Sequence, residues 1–198
     1  VVRKKYISEM DLLRLRKALL MCRLAANGSY LVTKEEPNCS SKLEKLDEII
    51  GEMTAETDRK VILFTEWTRM MDLIEPLLEK HGAGYVRLDG SVPQKKRGDL
   101  VASFSRDPDC LFFLTSNAGA TGLNLQAADT VVNVDLPWNP AVLEQRIARA
   151  HRMGQTRPVQ VYLLVTEETL EERLLGTLAN KQLLADASLD VSAETTEV

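Results

Sequence analysis

Apolar residues recur at helical spacing between Ser8 and Leu24 (Leu12, Leu13, Leu15, Leu19, Leu20, Leu24), predicting an amphipathic helix that Asn27-Gly28-Ser29 ends. A loop over Asn38–Ser41 follows, in which Ser40 or Ser41 caps a second helix running through Met53. After the polar connection Thr54–Arg59 the texture changes. Val61-Ile62-Leu63-Phe64 is a short continuous apolar run, the mark of a parallel strand buried on both faces. A helical pattern from Thr68 to about Lys80 comes next. Then come a strand Tyr85–Leu88, a turn Asp89-Gly90-Ser91 and a helix opened by Pro93. Further on are a strand Leu111–Thr115, a Gly-rich loop, a strand Thr130–Asp135, a helix Pro140–Ala150 and a strand Val159–Val165. A last helix runs from about Glu168 to Ala185, with Thr166 as N-cap and Glu167, Glu168 and Glu171 at its positive end.

Strand and helix alternating in this way predict a three-layer α/β domain, a parallel sheet with helices on both faces. The expected organisation is a helical lead-in over 1–58, an α/β core over 59–166, a C-terminal helix over 167–185 and a polar, acidic tail over 186–198. Ligands of such sheets bind at the loops beyond the carboxyl ends of the strands. The unusual residues fall there.

Composition narrows the class. A chain of 198 residues with 44% apolar content builds one sizeable core. No apolar run reaches the roughly 18 residues of a membrane span, and no signal core follows the N-terminus, so a cytoplasmic or nuclear, non-secreted protein is expected. The chain opens on Val1 and not on Met, which suggests a piece of a longer polypeptide. Cys22, Cys39 and Cys110 are scattered and only two histidines exist, so neither a disulfide frame nor a metal site is expected. The net charge of −4 is unevenly spread. From Glu167 onward stand eight acids and two bases, net −6, which leaves the preceding 166 residues at +2. The basic residues are therefore free to form a local patch.

Four segments carry candidate chemistry. In Gln145-Arg-Ile-Ala-Arg149-Ala-His-Arg152-Met-Gly154-Gln155, helical spacing puts Gln145, Arg149 and Arg152 on one face. Two guanidiniums there form a fork suited to phosphate oxygens, unless the face is simply solvated. Thr115-Ser-Asn-Ala-Gly-Ala-Thr-Gly122-Leu-Asn124-Leu follows a buried strand and is rich in glycine and hydroxyls, so its amides can approach a phosphate or ribose; an ordinary turn is the alternative. Arg87-Leu-Asp-Gly90-Ser91 reads by itself as a turn. Asp135-Leu-Pro-Trp138-Asn-Pro presents a stiffly held, partly exposed tryptophan. The pair Asp47-Glu48 only imitates a metal-binding acidic box, because the residues before it follow a helical surface pattern. No Gly-x-x-x-x-Gly-Lys-Ser/Thr loop is present in the 198 residues.

These segments occur in a telling order. Lys60-Val-Ile-Leu-Phe-Thr-Glu-Trp-Thr-Arg-Met-Met, then Arg-Leu-Asp-Gly-Ser, then Thr-Ser-Asn-Ala-Gly-Ala-Thr-Gly-Leu-Asn-Leu, then Trp-Asn-Pro, then Gln145 to Gln155, together resemble the motifs of the second RecA-like helicase lobe of the Swi/Snf family. Arg-Ala-His151-Arg152-Met-Gly-Gln155 is the most specific piece, since RNA helicases of the wider superfamily usually carry Gly-Arg-x-Gly-Arg there. Ser41-Lys42-Leu43 matches the family's lead-in helix. The resemblance covers about Leu12 to Ala185.

The resemblance implies a RecA-like fold, lobe two only, of an ATP-dependent double-stranded DNA translocase. It implies that Arg149 and Arg152 are arginine fingers for the γ-phosphate of ATP, and that Gln145, Gly122 and Asn124 lie near the nucleotide. Thr65, Arg87, Gly90, Ser91, Thr115, Ser116 and Trp138 match positions along the DNA. ATP and Mg²⁺ would be held by the complete two-lobe enzyme and not by this lobe alone, which is expected to be inactive in isolation and monomeric. The implied partners are the N-terminal ATPase lobe of the same protein and duplex DNA, with no membrane. An RNA or single-stranded DNA helicase lobe and a non-catalytic interaction module of the same fold are the alternatives. The sequence departs from the family at Asn117, where Lys or Arg is usual, at Ala120, where Gly is usual, and at Glu66, where Gln is frequent.

Overall fold

The computed structural model describes residues 7–56, 59–117, 122–151, 155 and 157–179. Its centre is a five-stranded, all-parallel sheet in the order β2-β3-β1-β4-β5. The strands are β1 (Val61–Phe64), β2 (Gly84–Leu88), β3 (Cys110–Thr115), β4 (Thr130–Asn133) and β5 (Gln160–Leu163). The helices are α1 (Glu9–Asn27), α2 (Tyr30–Thr33), α3 (Ser41–Ala55), α4 (Thr68–Lys80), α5 (Gln94–Arg106), α6 (Pro140–Ile147) and α7 (170–179).

The two faces of the sheet are covered as the period of a strand requires. Val61 and Leu63 point to one side and pack with Leu46, Ile49 and Ile50 of α3 and Met70, Ile74 and Leu78 of α4. Ile62 and Phe64 point to the other and pack with Phe104 of α5, Phe113, Leu125 and Ala150. The rings of Phe104 and Phe113 meet edge to face at 5.2 Å. On the far flank, Leu174 and Leu178 of α7 close over Leu136 and Leu143. β2 lies so close to the turn before β3 that a Cβ at Gly84 would sit 2.0 Å from the Asp109 carbonyl oxygen, which admits only glycine.

β1 and α4 have the bounds that the pattern predicts. Ser40 caps α3, accepting from the Leu43 amide at 3.2 Å. Other elements differ. β4 stops at Asn133 and β5 spans only Gln160–Leu163, because the chain beyond each turns inward to serve polar contacts at the rim. α6 stops at Ile147 and not at Ala150; its last amides switch to tighter bonds, Arg149 N to Arg146 O at 3.2 Å and Ala150 N to Ile147 O at 3.1 Å. Burial of Ala150 under the sheet and the bond from Leu125 N to Arg149 O pull the chain off the helix axis. Among the described residues no helix lies between β3 and β4, so the strand–helix alternation breaks there.

Candidate active site at the carboxyl rim of the sheet

Because all strands run the same way, their carboxyl ends share one rim, and the segments leaving β1, β3 and β4 converge on Arg146. Its guanidinium is 2% exposed and is saturated with acceptors. Nε donates to Asn117 Oδ1 at 2.7 Å, Nη1 to Asn133 Oδ1 at 3.1 Å and to the Asp135 carbonyl at 2.8 Å, and Nη2 to Asp135 Oδ1 at 3.3 Å. Phe64 lies under its plane at 5.3 Å. One side chain of α6 thus ties the ends of β1, β3 and β4 together. Asp135 completes the knot, accepting from Thr65 Oγ1 at 2.6 Å and from the Glu66 amide at 2.9 Å.

Arg23 enters the same network from α1. It pairs with Glu66 at 2.8 Å, donates to the Leu136 carbonyl at 2.9 Å, and lies 5.4 Å from the ring centres of both Trp67 and Trp138. Glu66 also faces Arg146 at 3.8 Å and accepts from Asn117 Nδ2 at 3.5 Å. Two of the residues that depart from the family pattern, Glu66 and Asn117, are therefore in contact. A third buried cation, Lys42, donates to Glu171 at 2.6 Å, to the Val134 carbonyl at 2.8 Å and to Asn27 Oδ1 at 3.1 Å. Burial pushes its ammonium below the ordinary lysine range, and the Glu171 carboxylate opposes that shift.

The residues singled out from sequence fall into distinct settings. Thr65 and Thr115 are fully buried, their hydroxyls held by Asp135 and by the Leu88 carbonyl at 2.7 Å. Ser116 is 7% exposed, whereas Gly90 and Ser91 are exposed and Trp138 is 44% exposed. Ser91 donates to Asp89 Oδ1 from its amide at 2.9 Å and from its hydroxyl at 2.5 Å, which holds the Asp89 carboxyl below the usual range; burial works the other way. Arg87 is gripped by carboxylates, Asp72 at 2.6 Å, Glu75 at 2.7 Å and Asp89 at 3.3 Å. Burial opposes its charge, and the bonds to Asp72 and Glu75 more than offset that, so its guanidinium is held above its ordinary value. A phosphate would have to compete with those acids for it.

Gln145 is exposed on α6, and Arg149 lies two residues past the end of that helix. Gln145 and Arg149 therefore do not stand on one continuous helix face, since the helix ends between them. Arg149 is half-buried, with a hydrogen bond to the Leu123 carbonyl at 3.4 Å. Gly122 has φ of +75°, the left-handed region that suits glycine, and Asn124 is exposed beside it. Gln155 stitches the Asn124 loop to the motif by donating to Gln126 O at 3.1 Å and Ala128 O at 2.9 Å. Arg152 lies outside the described residues. Asp47 and Glu48 stand on α3, where Asp47 pairs with Lys80 and His81. Among the described residues no group of three or more metal-type ligands occurs, and no helix is long and apolar enough to cross a membrane.

Residues 41–154, which hold the rim from α3 through the motif after α6, match the helicase conserved C-terminal domain family. The chain belongs to that family. This helicase C-terminal domain is of Swi/Snf type. It is 48% identical over 144 residues to the chromatin-remodeling ATPase INO80 of Emericella nidulans, covering 72% of this chain and 9% of that protein. It is 42% identical over 157 residues to the INO80 ATPase of Lodderomyces elongisporus, covering 79% of this chain and 10% of that protein. The Sulfolobus solfataricus SWI2/SNF2 ATPase C-terminal domain has the same fold, with a TM-score of 0.71 at 27% identity over 89% of this chain and 73% of that one. The C-terminal part of the Fun30 ATPase domain gives 0.66 at 28% identity, over 86% and 54%. The helicase domain spans 8% to 10% of the length of its curated relatives.

Sequence reasoning passed over Arg146, which stands between Gln145 and Arg149, and over Arg23 and Asp135. Arg146 is the one buried residue of α6, but its partners Asn117, Asn133 and Asp135 belong to β4 and to the loops after β3 and β4, so nothing local in the sequence marks it.

Proposed function

We propose that the chain is the C-terminal lobe of an ATP-dependent double-stranded DNA translocase of the chromatin-remodelling kind. The observation that carries this reading is the contrast between two arginines of one motif. Arg146 has its donors committed to the fold, whereas Arg149, three residues on, is half-buried at the rim with one long bond to a carbonyl. The first is a structural clamp. The second is a guanidinium with donors left for a ligand. Arg149 lies against Leu123, in the loop of Gly122 and Asn124, and that juxtaposition suits a nucleotide phosphate with its sugar beside it.

In this reading the N-terminal lobe holds ATP and Mg²⁺. The bound ion would supply charge neutralisation there, and this lobe contributes Arg149 and Arg152 as fingers to the transferring phosphoryl group. Gln145, Gly122 and Asn124 border the nucleotide. Gly90, Ser91, Ser116 and Trp138 face the DNA backbone, with Thr65, Thr115 and Arg87 shaping the loops beneath them. Closure and opening of the lobes would move this one along phosphates without reading bases.

The test is Arg149→Ala and Arg152→Ala in the two-lobe polypeptide, with steady-state ATPase measured at saturating duplex DNA. A finger is worth about 10³–10⁵ in rate, so turnover is expected to fall on that scale while nucleotide binding falls less. Lysine is expected to rescue poorly, since it lacks the planar fork. Wild-type turnover in a well-folded Arg149→Ala protein would overturn the reading.

A further inference from the structure

The two edges of the sheet are built differently. β2, at one end, is guarded: its register against β3 shifts between Gly84 and Tyr85, and it carries Arg87 among Asp72, Glu75 and Asp89. Irregular register and charge keep a strand edge from pairing with another chain. β5, at the other end, has neither guard. It pairs with β4 in unbroken register from Gln160 to Leu163, and the stretch Val159–Val165 holds no charged residue, glycine or proline. Among the described residues no strand lies beyond it. Gln160 and Leu164 give their amides to the Asp129 and Asn133 carbonyls at 2.8 and 2.9 Å. By the period of a strand, the amides and carbonyls of Val161 and Leu163 therefore point away from the sheet. Val161 is 39% exposed. Beside this edge runs a groove of about 730 Å³ between α3 and β5, lined by Ile49, Tyr162 and Leu164, with Lys45, Glu52 and Glu167 around them.

We infer that β5 is a docking edge for a second copy of this chain, the two β5 strands pairing antiparallel about a two-fold axis at Tyr162. The charges at the strand ends argue for this occupant. Arg157 and Glu167 are equally far from Tyr162 in sequence, one on each side, and both are exposed. Antiparallel pairing about Tyr162 brings Arg157 of each copy beside Glu167 of the other, whereas parallel pairing would set like charges side by side. The same register places Val161 opposite the second copy's Leu163 as a hydrogen-bonded pair, which uses the main-chain groups that point outward. A two-fold contact needs only a surface that complements itself, and this edge does. The two carboxyl rims then lie at opposite ends of the joined sheets, so neither covers the Arg149 side of the other. The inference stands apart from the ATPase reading and departs from the monomer that the family resemblance implies.

Sedimentation velocity follows the oligomeric state of the 198-residue chain and of the two-lobe polypeptide. One strand edge and one groove make a small contact, so the expected dissociation constant is about 10 μM, and the measurement runs from about 1 to 100 μM. Val161→Lys puts a charge on the open edge outside the core and is expected to weaken the dimer about tenfold or more with the melting temperature unchanged. Glu167→Arg sets like charges together at both strand ends and is expected to weaken it about tenfold. Arg157→Glu combined with Glu167→Arg is expected to restore it, since the swap re-forms the pair. Arg157 also meets Asp129 at 3.3 Å, so the swap is judged against its own melting curve, and Val161→Lys decides where it unfolds. A chain that stays monomeric over the whole range overturns the inference. A dimer indifferent to Val161→Lys and Glu167→Arg is made elsewhere and also overturns it. Dimers of the chain with a monomeric two-lobe polypeptide assign the edge to another segment of the longer protein and overturn it too.

Discussion

Burying a cation is tolerable only if every donor finds an acceptor, and this domain does so at Lys42 and at Arg146. The Lys42–Glu171 pair is 3% exposed on each side and joins α3 to α7 across 129 residues of sequence. Removing one partner strands the other charge in the interior, at a cost of about 3–5 kcal/mol. Lys42→Ala is therefore expected to lower stability by that amount in a urea titration, while Lys42→Met combined with Glu171→Leu recovers most of it, because two apolar groups leave no charge unpaired. Arg146→Ala belongs to the same class, leaving Asp135 buried without its guanidinium partner. Melting should separate the arginines of the motif: Arg146→Ala loses fold, and Arg149→Ala, with its single long bond to Leu123, keeps it. A melting temperature that falls as far in Arg149→Ala would assign that side chain to the scaffold.

At the scale of elements, the α4–β2 contact carries a testable ionisation. Burial pushes the Tyr85 phenol up to about 12, and the carboxylates of Glu75 and Glu79 add to the effect by disfavouring a phenolate beside them. A folded value above the unfolded one means that the folded state keeps a proton the unfolded chain has lost. This contribution to stability is full below about 10 and disappears as pH rises through about 12. Phenolate absorbance should show one late-titrating tyrosine, absent in Tyr85→Phe; simultaneous titration of all four tyrosines would contradict the packing. Elements of this kind were legible in the sequence where burial and period coincide. Val61–Phe64 is a run with no polar position, and Thr68–Lys80 repeats Met70, Met71, Ile74 and Leu78 at helical spacing, so the pattern locates both elements. The helical character of α1 was legible too, but its exposure was not, because an apolar stripe does not say what it faces. The end of α6 depends on Leu125 reaching Arg149, and the Arg146 knot depends on acceptors 11 to 29 positions away, so neither has a local signature.

For the whole molecule the question is how much DNA affinity one lobe carries. The net charge of −4 hides a first 166 residues at +2 and a segment from Glu167 at −6. Of the rim's positive groups, Arg23 faces Glu66, Arg146 faces Asp135, and Arg87 faces Asp72, Glu75 and Asp89. Asn117, where related lobes usually carry a cation, supplies none and instead binds Arg146. The exposed rim groups Gly90, Ser91 and Trp138 offer amides, a hydroxyl and an indole, which can position a backbone but release few counterions. The isolated domain should therefore bind duplex DNA in the range of non-specific complexes, with dissociation constants of about 10⁻⁴–10⁻⁶ M at physiological salt. The affinity should not depend on base sequence. Its logarithm should fall with the logarithm of salt at about −0.9 per phosphate neutralised, a slope of roughly −2 to −4 if two to four phosphates are engaged. Fluorescence anisotropy with two unrelated duplexes at several salt concentrations measures both properties. Nanomolar binding that barely responds to salt, or a preference of one duplex over the other, would mean that this lobe reads bases through contacts absent from its rim. Under the proposed function, binding this weak and this steep in salt would leave tight engagement of DNA to the complete two-lobe polypeptide, and a tight isolated domain would remove that need.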